Sequence, residues 1–172
     1  MEGARRIQEP CWFAARTRYG TETGIRDSLE RMGVEHFIPT RKVKSTRGGR
    51  THERAVIPSL VFLRTTKENA CSMANDGLIR VRYVVDCATR TLLVVPDKQM
   101  EDFMRVMDLS KDEGGLMDAP LELGDRVRVT RGPLRGVEGH VVEFRGRTYV
   151  VVSLLDSVFA KAGVPRAWLE KV

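Results

Sequence analysis

Residues 109–122, LSKDEGGLMDAPLE, hold four carboxylates against one lysine, two adjacent glycines and a proline, with no sustained hydrophobic period. A stretch of that composition carries neither an amphipathic helix nor a half-buried strand, so it reads as a flexible connector that divides the chain. The 172 residues then supply two modest cores. Charge follows the same division. Residues 1–108 carry 19 basic and 14 acidic side chains and residues 123–172 carry 9 and 5, so two basic blocks flank an acidic spacer. A net charge of +6 points to an anionic partner.

The front block alternates strand and helix signals. CWFAARTR (11–18) is a short apolar strand. It is followed by a helix that Thr21 caps, in which Ile25, Leu29 and Met32 recur at i, i+4 and i+7 and Gly33 supplies a left-handed stop. VEHFIPT (34–40) is a second strand, and residues 41–58 form a basic hairpin turning at Gly48-Gly49. SLVFLRT (59–65) is a nearly continuous apolar run, expected as an inner strand, after which Thr65 and Glu68 make a capping box for a helix ending near Gly77. LIRVRYVV (78–85) and TLLVV (91–95) are further strands. Asp97 then caps a helix with Met100, Phe103, Met104 and Met107 on one face and Glu101 and Asp102 on its outer side. This order predicts an α+β fold in which helices pack on a mainly antiparallel sheet, an α/β sandwich.

In the back block DRVRVT, GHVVEF, TYVVVSLL and a terminal piece around VPRAWLEKV are short β segments at close spacing. They suit a small β-barrel, whose closure removes exposed edges. Alternation turns Val127, Val129 and Val141 inward and Arg126 and Arg128 outward. The expected organisation is a domain over 1–108, a connector over 109–122 and a second domain over 123–172.

Several function classes lack their motifs. Cys11, Cys71 and Cys87 are far apart without C-x-x-C spacing and are read as buried small hydrophobes; His36, His52 and His140 show no ligand spacing. G-x-S-x-G, P-loop and H-E-x-x-H patterns are absent, so neither catalysis nor a metal or cofactor is expected. The polar residues 1–10 lack the apolar stretch of a signal peptide, and no apolar run reaches the ~20 residues of a membrane helix. The expectation is a cytoplasmic monomer.

From Leu123 to about Tyr149, GDRVRV and GPLRGVEGHV, with Gly124, Gly132, Gly136 and Gly139, resemble the KOW motif of NusG and of some ribosomal proteins, an SH3-like barrel. In the front block WFAARTRYGTETGIRDSLERMG, FIPTRK and IPSLVFLR resemble, in the same order, the NusG N-terminal (NGN) domain. Together the two cover nearly the whole chain. The tail VFAKAGVPRAWLEKV is similar to that of specialised antiterminators of capsular polysaccharide operons of the Bacteroides type.

The resemblance implies a transcription elongation and antitermination factor whose front domain grips the clamp helices of the largest RNA polymerase subunit through an apolar patch. The matching residues are Trp12, Pro58, Leu60 and Phe62, with plain core residues as the competing reading of Trp12 and Phe62. Ser59 and Leu60 stand where the family usually has Gly or Asn followed by Tyr. Arg16, Arg18 and Arg31 match the region that approaches non-template DNA. The hairpin cations Arg41, Lys42, Lys44, Arg47, Arg50 and Arg54, against Glu53 alone, suit either a nucleic acid, DNA or nascent RNA, or the polymerase itself. In relatives the KOW module reaches Rho or a ribosomal protein. The alternative reading is a ribosome-associated or general RNA-binding KOW protein.

Overall fold

The computed structural model describes residues 9–109, 116–117, 123–155 and 158–172. They divide into two compact units, Met1–Val95 and Pro96–Val172. Most of the expected connector, 110–115 and 118–122, lies outside the described residues.

The first unit runs β1 (Cys11–Arg16), α1 (Glu22–Arg31), β2 (Glu35–Phe37), β3 (Thr40–Lys44), β4 (Thr51–Ala55), β5 (Leu60–Thr65), α2 (Lys67–Asn75), β6 (Arg82–Tyr83) and β7 (Val94–Val95). β1 pairs antiparallel with β5 along its whole length, from Cys11 opposite Thr65 to Arg16 opposite Leu60. β2 flanks β5, while β6 and β7 share the other edge of β1. Because side chains alternate, this central pair presents Phe13, Ala15, Val61 and Leu63 to one side and Trp12, Ala14, Leu60 and Phe62 to the other, and all eight are at most 6% exposed. Ala15, Val61 and Leu63 pack with Ile25 and Leu29 of α1, Met73 of α2, and Ile38 and Ile79. Each large member contributes roughly 1.5–3 kcal/mol by leaving water.

The helix ends show where local chemistry wins and where it is diverted. Thr21 does occupy the N-cap of α1, yet its hydroxyl makes no capping bond. It donates instead to the Arg18 carbonyl (2.7 Å) and meets the Thr17 hydroxyl (2.8 Å). At the other end Gly33 has φ +67°, its N–H reaches Glu30, and the Val34 N–H reaches Leu29, the paired bonds of a Schellman stop. In α2 the cap is Thr66, whose hydroxyl accepts from the Asn69 N–H; Thr65 belongs to β5 and is buried. The strands expected over 78–85 and 91–95 shrink to β6 and β7. Ile79 is bonded back to Met73 of α2, and the Asp86 carboxylate accepts from the Ala88 and Thr89 N–H groups, so local bonds displace ladder bonds at both places.

The second unit begins with α3 (Asp97–Leu109) and continues β8 (Leu116–Met117), β9 (Arg126–Val129), β10 (Glu138–Phe144), β11 (Arg147–Leu154), β12 (Val158–Gly163), a 3-10 turn (Arg166–Trp168) and β13 (Leu169–Lys171). Its strands form one antiparallel path, β13-β9-β10-β11-β12-β8. Among the described residues no pairing joins β8 to β13, so the sheet is open where a closed barrel was expected. α3, assigned above to the front domain, packs on β11 and β12. Amphipathic spacing tells that a helix face is buried, not which sheet buries it. Asp102 is correspondingly not on the outside: it is 4% exposed and accepts from Lys98 (2.6 Å) and the Glu138 N–H (3.1 Å). Lys98 also donates to the Gly136 carbonyl, Gln99 to that of Ser153, and Arg105 to those of Pro133 and Arg135. Nor are the cysteines buried: Cys11 and Cys71 are partly exposed and Cys87 is exposed.

Tyr83 packs on the core of the first unit, and its buried hydroxyl has no hydrogen-bond partner among the described residues. Burial pushes its pKa up from 10.0 to about 12. A raised folded pKa means that stability is held below pH 10 and lost as pH rises toward 12. Tyr83→Phe removes an unsatisfied polar group without removing a bond. It should raise stability at pH 7 by up to ~1 kcal/mol and reduce the alkaline decline, both read by urea denaturation.

Candidate functional site

The turn from β4 into β5 carries Pro58 and Ser59. Ser59 holds φ 59°, a left-handed conformation that Gly and Asn adopt most readily. It is held there by two bonds: its N–H donates to Glu22 Oε1 (2.7 Å) and its carbonyl accepts from the Thr17 N–H (3.0 Å). Glu22, only 3% exposed, is the first residue of α1, where the helix dipole favours a carboxylate. Pro58 is exposed. Trp12, Leu60 and Phe62 are not: they lie together on one face of the β1–β5 pair as core residues, so of the four expected polymerase contacts one alone is on the surface. Beside that face exposed Arg16 stands directly opposite exposed Arg82.

The expected nucleic-acid contacts Arg16, Arg18, Arg31, Arg41, Lys42, Lys44, Arg47 and Arg50 are all exposed. Arg31 stands apart from Arg18, since α1 separates them by about 15 Å at 1.5 Å per residue. It bonds back to the Asp27 carbonyl and the Ser28 hydroxyl. The hairpin cations are gathered on a two-stranded sheet, β3 with β4, in which Arg41 faces Arg54 and Lys42 faces Glu53. Gly48 (φ +94°) and Gly49 (φ +65°) close it. Arg26 of α1 takes Glu53 (2.9 Å), a bond that raises the guanidinium pKa further. Arg54 lies over the Tyr19 ring and bonds its hydroxyl. Arg41, Lys42, Lys44, Arg47 and Arg50 are therefore left with no carboxylate partner among the described residues.

In the second unit the glycines do two different jobs. A Cβ on Gly139 would stand 2.3 Å from the Val151 carbonyl oxygen, and one on Gly124 2.8 Å from that of Val141, so strand backbones approach there as only glycine allows. Gly132 (φ +75°) lies under the Trp168 ring, and Gly136 (φ +88°) serves a turn in open space. Arg128 and Arg126 converge on Glu138 at 2.7 and 3.1 Å, and Arg128 holds that carboxyl below its usual pKa. One cluster escaped sequence reading. Lys161 sits 5.0 Å from the Tyr149 ring and 5.7 Å from the Phe144 ring, with Arg145 5.0 Å from Phe144. The three strand residues come from different strands, and only the signal of Phe144 and Tyr149 within two positions of arginines hinted at it.

The sequence profile of NusG, described as transcription termination factor nusG, matches residues 10–104. The chain belongs to the NusG family. The NusG match covers the first unit and continues into α3, across the division drawn by packing. A solved structure titled "Domain interaction in Thermotoga maritima NusG" is similar over 95% of this chain and 98% of that chain, at 20% identity and a TM-score of 0.52, a likeness of fold alone. No curated protein matches the chain. The protein is thus a NusG family transcription factor of mixed α/β architecture with antiparallel sheets, and among its described residues no helix is long and apolar enough to cross a membrane.

Two substitutions check this geometry. Ser59→Gly should raise stability by about 0.5–1 kcal/mol in thermal unfolding, because the left-handed backbone no longer carries a Cβ. Gly139→Ala should cost about 2 kcal/mol or more, because its clash is with backbone and no side chain can move aside; amide exchange should show the loss centred on β10 and β11.

Proposed function

We propose that this NusG family member is a non-enzymatic elongation and antitermination factor of the specialised kind, acting in the cytoplasm as a monomer on particular operons such as surface polysaccharide loci. Its first unit binds the clamp helices of the largest RNA polymerase subunit, and its second unit is a KOW module for a further protein partner, Rho or a ribosomal protein. The observation that carries the reading is the family match over a unit that sets a contiguous apolar sheet face, Trp12, Ala14, Leu60 and Phe62, next in the chain to an exposed proline, and that also carries a β3–β4 hairpin whose cations Arg41, Lys42, Lys44, Arg47 and Arg50 have no carboxylate partner among the described residues. An apolar anchor with a cationic flank fits a protein partner that itself holds nucleic acid. With Trp12, Leu60 and Phe62 at most 6% exposed, engagement of these side chains requires that this face be uncovered.

The burial also governs the test. Serine at Phe62 or Leu60 would leave a cavity and a polar group in the core at a cost of ~3–5 kcal/mol, and lost binding would then report unfolding. Pro58→Glu alters the surface beside the same face. We expect the intact chain to be retained by core polymerase and to increase read-through in single-round transcription, and Pro58→Glu to weaken retention about tenfold. Retention and read-through unchanged by the protein would overturn the reading. Joint replacement of Lys42, Lys44, Arg47 and Arg50 by Gln should flatten the salt dependence of binding to the nucleic-acid-loaded polymerase by about 0.7–0.9 per charge removed.

A further inference from the structure

Within the second unit a cleft of about 400 Å³ opens between the start of α3 and the strands β9, β10 and β11. Pro96, Lys98, Gln99 and Asp102 form its helix side. Arg126 and His140, which stand opposite each other across β9 and β10, form the facing side with Glu138 and with Ser153 of β11. Several of these groups are engaged within the fold. Lys98 uses all of its N–H donors, on the two oxygens of Asp102 (both 2.6 Å) and on the Gly136 carbonyl (2.8 Å). Asp102, 4% exposed, also accepts from the Glu138 N–H, and Gln99 donates to the Ser153 carbonyl. These bonds tie the helix side to the strand side, so the cleft is formed before anything enters it.

Three groups in the cleft keep capacity to spare. Glu138 is held chiefly by Arg128, through two bonds of 2.7 and 3.0 Å, and gives Arg126 a single bond of 3.1 Å. The rest of the Arg126 fork is open, and its side chain is 63% exposed. His140 Nδ1 lies 3.1 Å from the Gly124 carbonyl. A carbonyl only accepts, so Nδ1 carries the proton and Nε2 of the neutral ring offers a lone pair. The Ser153 hydroxyl makes no hydrogen bond among the described residues. Pro96 and Val151 add apolar surface, and among the described residues no aromatic side chain lines the cleft.

We propose that this cleft binds a small sugar anion, its phosphate or carboxylate on Arg126, its hydroxyl groups on His140 Nε2 and the Ser153 hydroxyl, and its C–H face against Pro96 and Val151. A planar guanidinium fork matches an oxyanion through two parallel bonds, which sets one anionic group at one place. A lone-pair acceptor beside a hydroxyl matches a ligand that itself carries hydroxyl groups, since each of these both donates and accepts. With no ring to stack on, the cleft gives a nucleobase nothing to hold it. The site belongs to the second unit alone and does not depend on polymerase binding.

The test is an amide-shift NMR titration of the full chain with glucose 6-phosphate, glucuronate, glucose and inorganic phosphate. A sugar anion should shift the amides of Gln99, Gly139, His140 and Ser153 together, and whether glucose 6-phosphate or glucuronate binds more tightly identifies the oxyanion. Glucose, which lacks the anion, and inorganic phosphate, which lacks the sugar, should each bind at least about tenfold more weakly. Arg126→Gln should weaken binding about tenfold, in a chain whose Glu138 is still held by Arg128 and whose thermal midpoint is little changed. Ser153→Ala, which removes a hydroxyl that bonds nothing in the fold, should weaken it about threefold. The proposal is overturned if neither sugar anion shifts these amides, if inorganic phosphate binds as tightly as the tighter sugar anion, or if folded Arg126→Gln and Ser153→Ala chains both bind as the parent does.

Discussion

The antiparallel pair of β1 and β5, apolar on both faces, is the constraint on which the first unit depends. A strand pair with one wet face has its register fixed by alternation, because a slip of one residue would drown the core side chains. Here a slip would exchange Phe13, Ala15, Val61 and Leu63 for Trp12, Ala14, Leu60 and Phe62, so alternation discriminates poorly. Register is held instead by polar ties at the end of the pair. Thr17 bonds the carbonyl of Ser59, and buried Glu22 bonds its N–H, which fixes where β5 begins opposite β1. Desolvating Glu22 is costly, and the cost is offset by a charge-assisted bond and by its place at the start of α1. The strained turn at Ser59, the exposed proline before it and the apolar face behind it are thus one local solution.

Charge in this protein is sorted by which acids are already engaged. In the first unit Arg26 claims the one hairpin carboxylate, Glu53, so among the described residues Arg41, Lys42, Lys44, Arg47 and Arg50 have no carboxylate partner. In the second unit Glu138 takes Arg126 and Arg128, and Asp125 takes Lys171. Among the described residues two separate groups of cations remain without a carboxylate partner, one on the β3–β4 hairpin and one around the rings of β10, β11 and β12. The first has little aromatic surface among its charges and suits phosphate contacts alone; the second combines charge with rings and a cleft.

Most elements were legible locally. α1 with its Gly33 stop, the basic hairpin with its paired glycines, the apolar β5 and the alternating β9 all follow from periodicity and turn chemistry, which act over a few residues. The failures share a cause. Thr66 displaced Thr65 as a cap, the strands around 78–95 shortened, and Asp102 proved buried, because each outcome depends on a partner distant in sequence or on competition between neighbouring bonds. The structure sets Trp12, Leu60 and Phe62 of the candidate patch on one buried sheet face, and hydrophobic pattern cannot distinguish a face awaiting a partner from a face already covered.

By itself the sequence determined the class of the fold, the family, and the separation of charge into two basic blocks, since these rest on composition, local periodicity and motif order. Only the tertiary structure decided that α3 packs with β11 and β12, that the second sheet stays open among its described strands, and that Phe144, Tyr149 and Lys161 meet. Such pairings join positions on different strands and helices, and backbone hydrogen bonding between elements, which no local pattern encodes, is what brings them within reach.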